Sequence, residues 1–308
     1  MTVRRAAVPA PAKLNLILRV GVRDSTGYHQ LESLFVKLAL ADDVTVTVGD
    51  STDDRLVVTG PALPLAGLGP DSDNLALRAL RAYRAATGWP DAAQLAIHKR
   101  IPVGGGLGGG SADAAGVLRA LDALAPQPIG IARLLALGAS LGADVPFLVS
   151  DALLAWGWGR GDRLLALPAL PSRTVWLVPQ EVGVPTASAY GWLAEAGGGS
   201  GGGATLYSAD ALSSWGEIAA RAHNDFTAVI RPRHAGVAAA LDQLEGMAAA
   251  LRSAADREAF ALMSGSGATC ALVTQLADPG SSAGGTGGGE GFLRTSTSAG
   301  VVGVIVEA

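Results

Sequence analysis

The residues with the clearest capacity for chemistry form one short run. Residues 101–111 read IPVGGGLGGGS, and six of the seven positions 104–110 are glycine. A strand pattern, 94–101 (QLAIHKRI), leads in, and a helix pattern, 111–124 (SADAAGVLRALDAL), leads out. The start of a helix carries unpaired N–H groups and the positive end of the dipole, and glycine lets an anion approach the backbone closely. The run therefore reads as a phosphate-binding loop, with Ser111 either capping the helix or turning its hydroxyl to the phosphate or its metal. A merely flexible connection is the weaker reading, because regular elements frame both sides. Two other glycine-rich stretches, 197–203 (GGGSGGG) and 279–291 (PGSSAGGTGGGEG), have no such frame and read as flexible surface insertions.

Known phosphate loops differ in what surrounds the glycines. A Walker A loop needs a lysine before its Ser/Thr, and Gly110 stands there instead. Gly104, Gly106 and Gly109 match GxGxxG literally, but a glycine run satisfies almost any glycine pattern. A dinucleotide fold also wants an acidic residue ending the next strand, and Asp122 falls inside the expected helix. A nicotinamide-dependent oxidoreductase is accordingly the lesser alternative. The protein-kinase loop fails as well, with Ser111 in its valine position.

Other reactive residues are scattered. Asp144 sits in the apolar LGADVP (141–146), where an unpartnered carboxylate is costly, so it needs a partner, a cap to make, or a task. Lys13 projects from an apolar strand with Asn15 two residues on, on the same face. Tyr28 and His29 follow Gly27 in a turn, a pairing suited to stacking on a base as well as to an ordinary half-buried role. The four histidines, His29, His98, His223 and His234, show no metal-ligand spacing.

The elements that must position these residues are legible in part. Residues 12–20 (AKLNLILRV) and 43–48 (DVTVTV) alternate as strands. Residues 71–73 (DSD) precede a helix over 74–86, a further helix covers 131–141, and 143–146 (ADVP) reads as a turn. The chain restarts near 173 with the strand TVWLVP, then a helix at 256–262, a strand at 269–274 and a last strand at 301–306. Strands and helices mix without regular alternation, so the fold class is α+β.

Composition narrows the rest. With 308 residues the chain has room for two domains, and 49% apolar residues support a large core. A formal net charge of −4, without a charged block, gives no nucleic-acid footprint. No apolar run nears the ~20 residues that span a bilayer, and Pro9, Pro11 and Lys13 interrupt any signal core. One cysteine, Cys270, cannot form an internal disulfide and reads as a core residue. A cytoplasmic protein is expected.

The stretch 102–111 (PVGGGLGGGS) resembles the ATP loop of the galactokinase, homoserine kinase, mevalonate kinase and phosphomevalonate kinase superfamily. Within it, PAKLNLILRV (11–20), TGYHQLES (26–33), LGADVPF (141–147) and MSGSGATCALV (263–273) are closest, and in the right order, to the branch acting on a cytidine-diphosphate-linked methylerythritol. The resemblance implies an N-terminal ribosomal-protein-S5-like domain (1–168) carrying the ATP loop and a ferredoxin-like C-terminal domain (169–308) holding substrate. The implied reaction passes the γ-phosphoryl of ATP, accompanied by Mg²⁺, to the 2-hydroxyl of that small molecule, in the non-mevalonate isoprenoid pathway. A monomer or weak homodimer is implied, and a mevalonate- or homoserine-like acceptor is the alternative within the superfamily.

The same resemblance distributes roles. It makes Asp144 the general base and Lys13 the cation that keeps it ionised and meets the reacting phosphate. Lys99 and residues Pro102, Val103, Gly104, Gly105, Gly106, Leu107, Gly108, Gly109, Gly110, Ser111 and Ala112 would hold ATP. Asn15, Tyr28, His29 and, from VPTASAY (184–190), Tyr190 would hold substrate. The turn Gly265-Ser266-Gly267 would close over the substrate or the first loop. Two departures stand out: Thr227 replaces the usual acidic residue in HNDFT (223–227), and 278–291 is glycine-rich where a helix is usual.

Overall fold

A computed structural model of the chain describes residues 2–23, 29–64, 69–70, 72–201, 207–277, 292–297 and 304–307. Numbered in chain order, the first half contains β1 (Arg4–Arg23), β2 (His29–Val48), β3 (Arg55–Thr59), α1 (Leu75–Thr87), β4 (Ala93–His98), α2 (Gly109–Leu124), α3 (Ile131–Leu141), α4 (Val145–Val149), β5 (Leu154–Gly159) and β6 (Arg163–Leu167). The second contains β7 (Thr174–Val178), α5 (Thr186–Glu195), α6 (Trp215–Ala219), β8 (His223–Asn224), α7 (Thr227–Ile230), α8 (Ala235–Ala254), β9 (Phe260–Met263), β10 (Cys270–Thr274), β11 (Leu293–Ser296) and β12 (Ile305–Glu307). The α+β class stands.

β1 and β2 pair antiparallel along their whole length, from Arg4↔Val48 to Arg23↔His29. The ladder slips between Pro11 and Lys13 and again between Asn15 and Ile17. Pro11 has no N–H for the ladder, and bulges of this kind re-aim side chains. Lys13 and Asn15 lie between the two slips. The first sheet runs β12-β1-β2-β4-β3, with β5 and β6 continuing from β2 and β8 lying parallel to β1. α2 packs on it through small residues, Ala112, Ala114, Ala115 and Gly116, all buried.

The second sheet has the order β11-β7-β10-β9, antiparallel throughout, which is the ferredoxin-like order. It is covered on both faces. Val175, Leu177, Leu262 and Val273 join the core of the first sheet, while Met263, Cys270 and Leu272 pack on Val237, Leu241 and Leu244 of α8. Burial on both sides explains why these strands read as continuous apolar runs.

The turn expected at 143–146 is present at 143–144 and runs into α4, with Asp144 at the N-cap position and Pro146 in the first helical turn. Two expectations need correction. Residues 256–262 are not a helix. α8 ends at Ala254, and Asp256 accepts from Glu258 N, Thr274 Oγ1 and Gln275 N, which turns the chain into β9 beside β10. A short apolar run carries no period of its own, and strand pairing decided this one. The first described part of the 197–203 stretch is also tied down: Gly198 N donates to Leu193 O, and Gly201 N to Val20 O. Residues 202–203, 279–291 and 301–303 lie outside the described residues. No helix among the described residues is long and apolar enough to cross a membrane.

Candidate active site

The glycine loop is anchored from behind before it can face anything in front. Asp42, within β2, accepts backbone N–H from Arg100 (2.5 Å) and Ile101 (2.9 Å), fixing the loop's entry. Lys99 is buried between Asp42 and Asp113, its Nζ donating to both carboxylates, to Asp113 at 2.7 Å. Two carboxylates share one ammonium, and Asp113 Oδ1 has no hydrogen-bond partner among the described residues. Burial, incompletely offset by Lys99, pushes the Asp113 carboxyl well above its usual range. Lys99 was expected to approach nucleotide phosphates. The structure engages it inward, under Gly109, whose side-chain position would fall 3.3 Å from Nζ.

α2 then opens with Gly108 as its N-cap, in the left-handed region at φ +75°. Ser111 is therefore inside the first turn rather than at the cap, half-buried and lining the cleft. A β-carbon on Gly108 would sit 3.0 Å from Lys13 Cγ. The backbone of β1 joins the loop directly, with Lys13 N donating to Leu107 O at 3.0 Å.

Lys13 stands at the centre. Its Nζ donates to Asn15 Oδ1 (2.5 Å) and Gly106 O (2.8 Å) and lies 3.5 Å from Asp144 Oδ2. Asn15 Nδ2 donates to Ser33 Oγ (2.7 Å), whose hydroxyl donates to Ile17 O (2.8 Å). This chain fixes the Asn15 amide with its oxygen toward the ammonium. Lys13 is 3% exposed and the Asp144 side chain 28%, so the carboxylate is the member of the pair open to the cleft.

The second glycine turn closes on the first. Thr269 N donates to Gly105 O (3.1 Å), and Ser264 Oγ to Gly106 O (2.9 Å). Gly106 has φ +77°, and a β-carbon there would lie 2.2 Å from Ser264 O. Only glycine permits this approach. Asn224 holds the second turn from below, donating to Met263 O (2.7 Å) and Gly265 O (2.8 Å). Thr186, opening α5, meets Ser266 at 3.1 Å.

Tyr190 and Phe226 line the cleft's other wall, and His29 is not among the residues that line it. His29 stacks on Tyr190 (centroids 4.8 Å, planes 29° apart), and Tyr190 meets Phe226 edge-on at 4.9 Å. His29 Nδ1 is 2.8 Å from Gly21 O, and Nε2 accepts from Arg23 Nε at 3.0 Å. Those partners select the tautomer with the proton on Nδ1. Burial, with Asp144 adding to it, raises the Tyr190 phenol to about 12, so the ring stays neutral. Tyr28 lies outside the described residues.

Among these groups lies one cleft of about 580 Å³, with Asn74, at the N-cap of α1, among its lining residues. Lys13, Asn15, Lys99, residues 102–111, Asp144, Tyr190 and 265–267 all line it. Ala112 is fully buried and faces away into the core. Sequence reading missed Asp42, Asp113, Ser33 and Phe226. Asp113 lay within the recognised helix start, where a carboxylate among alanines was a usable signal. Asp42, 57 residues from Lys99, offered none.

Fold and loop together are those of the GHMP kinases. The family model described as "GHMP kinases N terminal domain" matches residues 74–151. A homoserine kinase from Cytophaga hutchinsonii shares the fold at TM-score 0.65 and 14% identity, covering 100% of this chain and 98% of that one. A solved 4-(cytidine 5'-diphospho)-2C-methyl-D-erythritol kinase matches at TM-score 0.65 and 31% identity, over 96% of this chain and 100% of that one. The chain belongs to the 4-diphosphocytidyl-2-C-methyl-D-erythritol kinase family. Its curated relatives align over little more than half their length: the enzyme of that name from Bordetella parapertussis is 44% identical over 183 residues, 59% of this chain and 58% of that protein.

Proposed function

We propose that this protein transfers the γ-phosphoryl of ATP to the 2-hydroxyl of 4-diphosphocytidyl-2-C-methyl-D-erythritol, releasing ADP. The observation that carries the reading is the Lys13–Asp144 pair, 3.5 Å apart, beside the N-terminus of α2. Amides of the loop 104–111 that face the cleft receive triphosphate oxygens, with the dipole of α2 favouring the anion. Asp144 accepts the hydroxyl proton as the oxygen attacks phosphorus. Lys13, oriented by Asn15, pairs with that carboxylate and offsets charge on the transferred group. Tyr190 and Phe226, lining the cleft with their rings nearly perpendicular and His29 stacked on Tyr190, offer an aromatic surface to a cytosine, which favours a cytidyl acceptor over mevalonate or homoserine.

Magnesium belongs to the same reading as a companion of the nucleotide. The donor facing the cleft that fits it is the Ser111 hydroxyl in the first turn of α2, and bound there it would neutralise phosphate charge. Lys99 acts beneath the loop rather than on the phosphates. The division into an ATP-binding unit over 1–168 and a substrate-binding unit over 169–308 follows the two sheets, with β8 and β12 returning to the first. A cytoplasmic location fits the free, buried thiol of Cys270.

The test is ADP release from ATP with each acceptor in turn, alongside binding of ATP and of NAD. Release with the cytidyl substrate alone is expected. Release with mevalonate or homoserine, or binding of NAD in place of ATP, would contradict the proposal.

A further inference from the structure

Lys37 takes no part in the chemistry above, yet it stands directly opposite Lys13 in the β1–β2 ladder and is completely buried. Its Nζ donates to Ser150 O, with Leu148 O at 3.4 Å, and lies 5.4 Å above the Phe147 ring. These groups form the C-terminal end of α4. The N-terminal end of the same helix presents Asp144 to Lys13. Two lysines, neighbours across one ladder, therefore hold opposite ends of a five-residue helix.

So short a helix cannot fix itself, since its last carbonyls have no partners within it. The other charged groups near Lys37 are Arg119 on α2 and Asp151 just beyond α4, themselves paired at 3.1 Å. Burial, aided by Arg119 and opposed by Asp151, pulls the Lys37 ammonium down to about 7. An ordinary lysine titrates near 10.5, so the folded chain bears a cost for keeping this one at neutral pH. Methionine would fill the same space without that cost.

We infer that Lys37 is a positioning residue, anchoring the far end of α4 so that the Asp144 carboxylate meets Lys13 and the cleft. The inference rests on the phosphotransfer reading for its effect on rate, but not for its effect on α4.

The experiment compares wild type with Lys37→Met in steady-state kinetics and in amide hydrogen exchange over 144–150. Exchange there should quicken in Lys37→Met, and kcat should fall at least about tenfold with both KM values little changed. Lys37→Gln, which keeps an N–H donor without the charge, should recover part of kcat, and it carries the test if Lys37→Met fails to fold. Unchanged exchange over 144–150, or wild-type kcat in folded Lys37→Met, would overturn the inference. A wild type inert toward the cytidyl substrate counts against the proposed reaction instead, and exchange still decides the role of Lys37.

Discussion

At the scale of single residues, the site depends on close approach. Gly108 brings α2 against the Lys13 side chain in a backbone conformation that costs an L-residue about 1 kcal/mol. Gly108→Ala should therefore fold but displace Lys13, lowering kcat on the order of 100-fold with a modest loss of stability. Steady-state kinetics with thermal unfolding checks this, and a kcat near wild type would contradict it. Lys13 and Asp144 were legible as candidates because each is a charge in an apolar stretch, and the motif resemblance supplied their roles. Lys99 was legible only as a charge, because its partners Asp42 and Asp113 are brought to it by the fold.

At the scale of elements, β1 does more than carry Lys13. Asp225, next to β8, accepts from Val20 N (2.7 Å), from Ser200 N and Oγ (both 2.8 Å), and meets His223 Nε2 at 2.7 Å. It joins β1, β8 and the segment following α5. Burial alone would raise its carboxyl, but hydrogen bonds from His223, Val20 and Ser200 outweigh this and bring it to about 2. A carboxyl depressed in the folded state contributes stability above its unfolded pKa and loses it as pH falls through the folded one. Asp225→Asn should cost about 2 kcal/mol near neutrality. Urea unfolding from pH 7 down to 2 should show that difference shrinking below about pH 4, and a pH-independent difference would contradict this account. Strand and helix existence was readable wherever a period lasted, as in Ile131–Leu141, which was placed to the residue. The misreading at 256–262 fell on a short run whose conformation is set by pairing with β10 rather than by local pattern.

At the scale of the whole molecule, two glycine turns from distant parts of the chain make one structure. Gly105 and Gly106 accept from Thr269 and Ser264, so the loop that would hold triphosphate is braced by the second sheet. The sequence showed two such turns and allowed that one closes over the other. It could not show β8 and β12 returning to β1, since a two-residue and a three-residue strand carry no period. In the proposed reaction a carboxylate accepts a proton from an alcohol beside a phosphate held elsewhere. The most direct measurement is turnover and nucleotide binding in Asp144→Asn, which keeps the shape and removes the charge. ATP affinity should stay within about threefold of wild type while kcat falls by about 10³ or more. Turnover close to wild type, or loss of ATP binding in place of turnover, would contradict it.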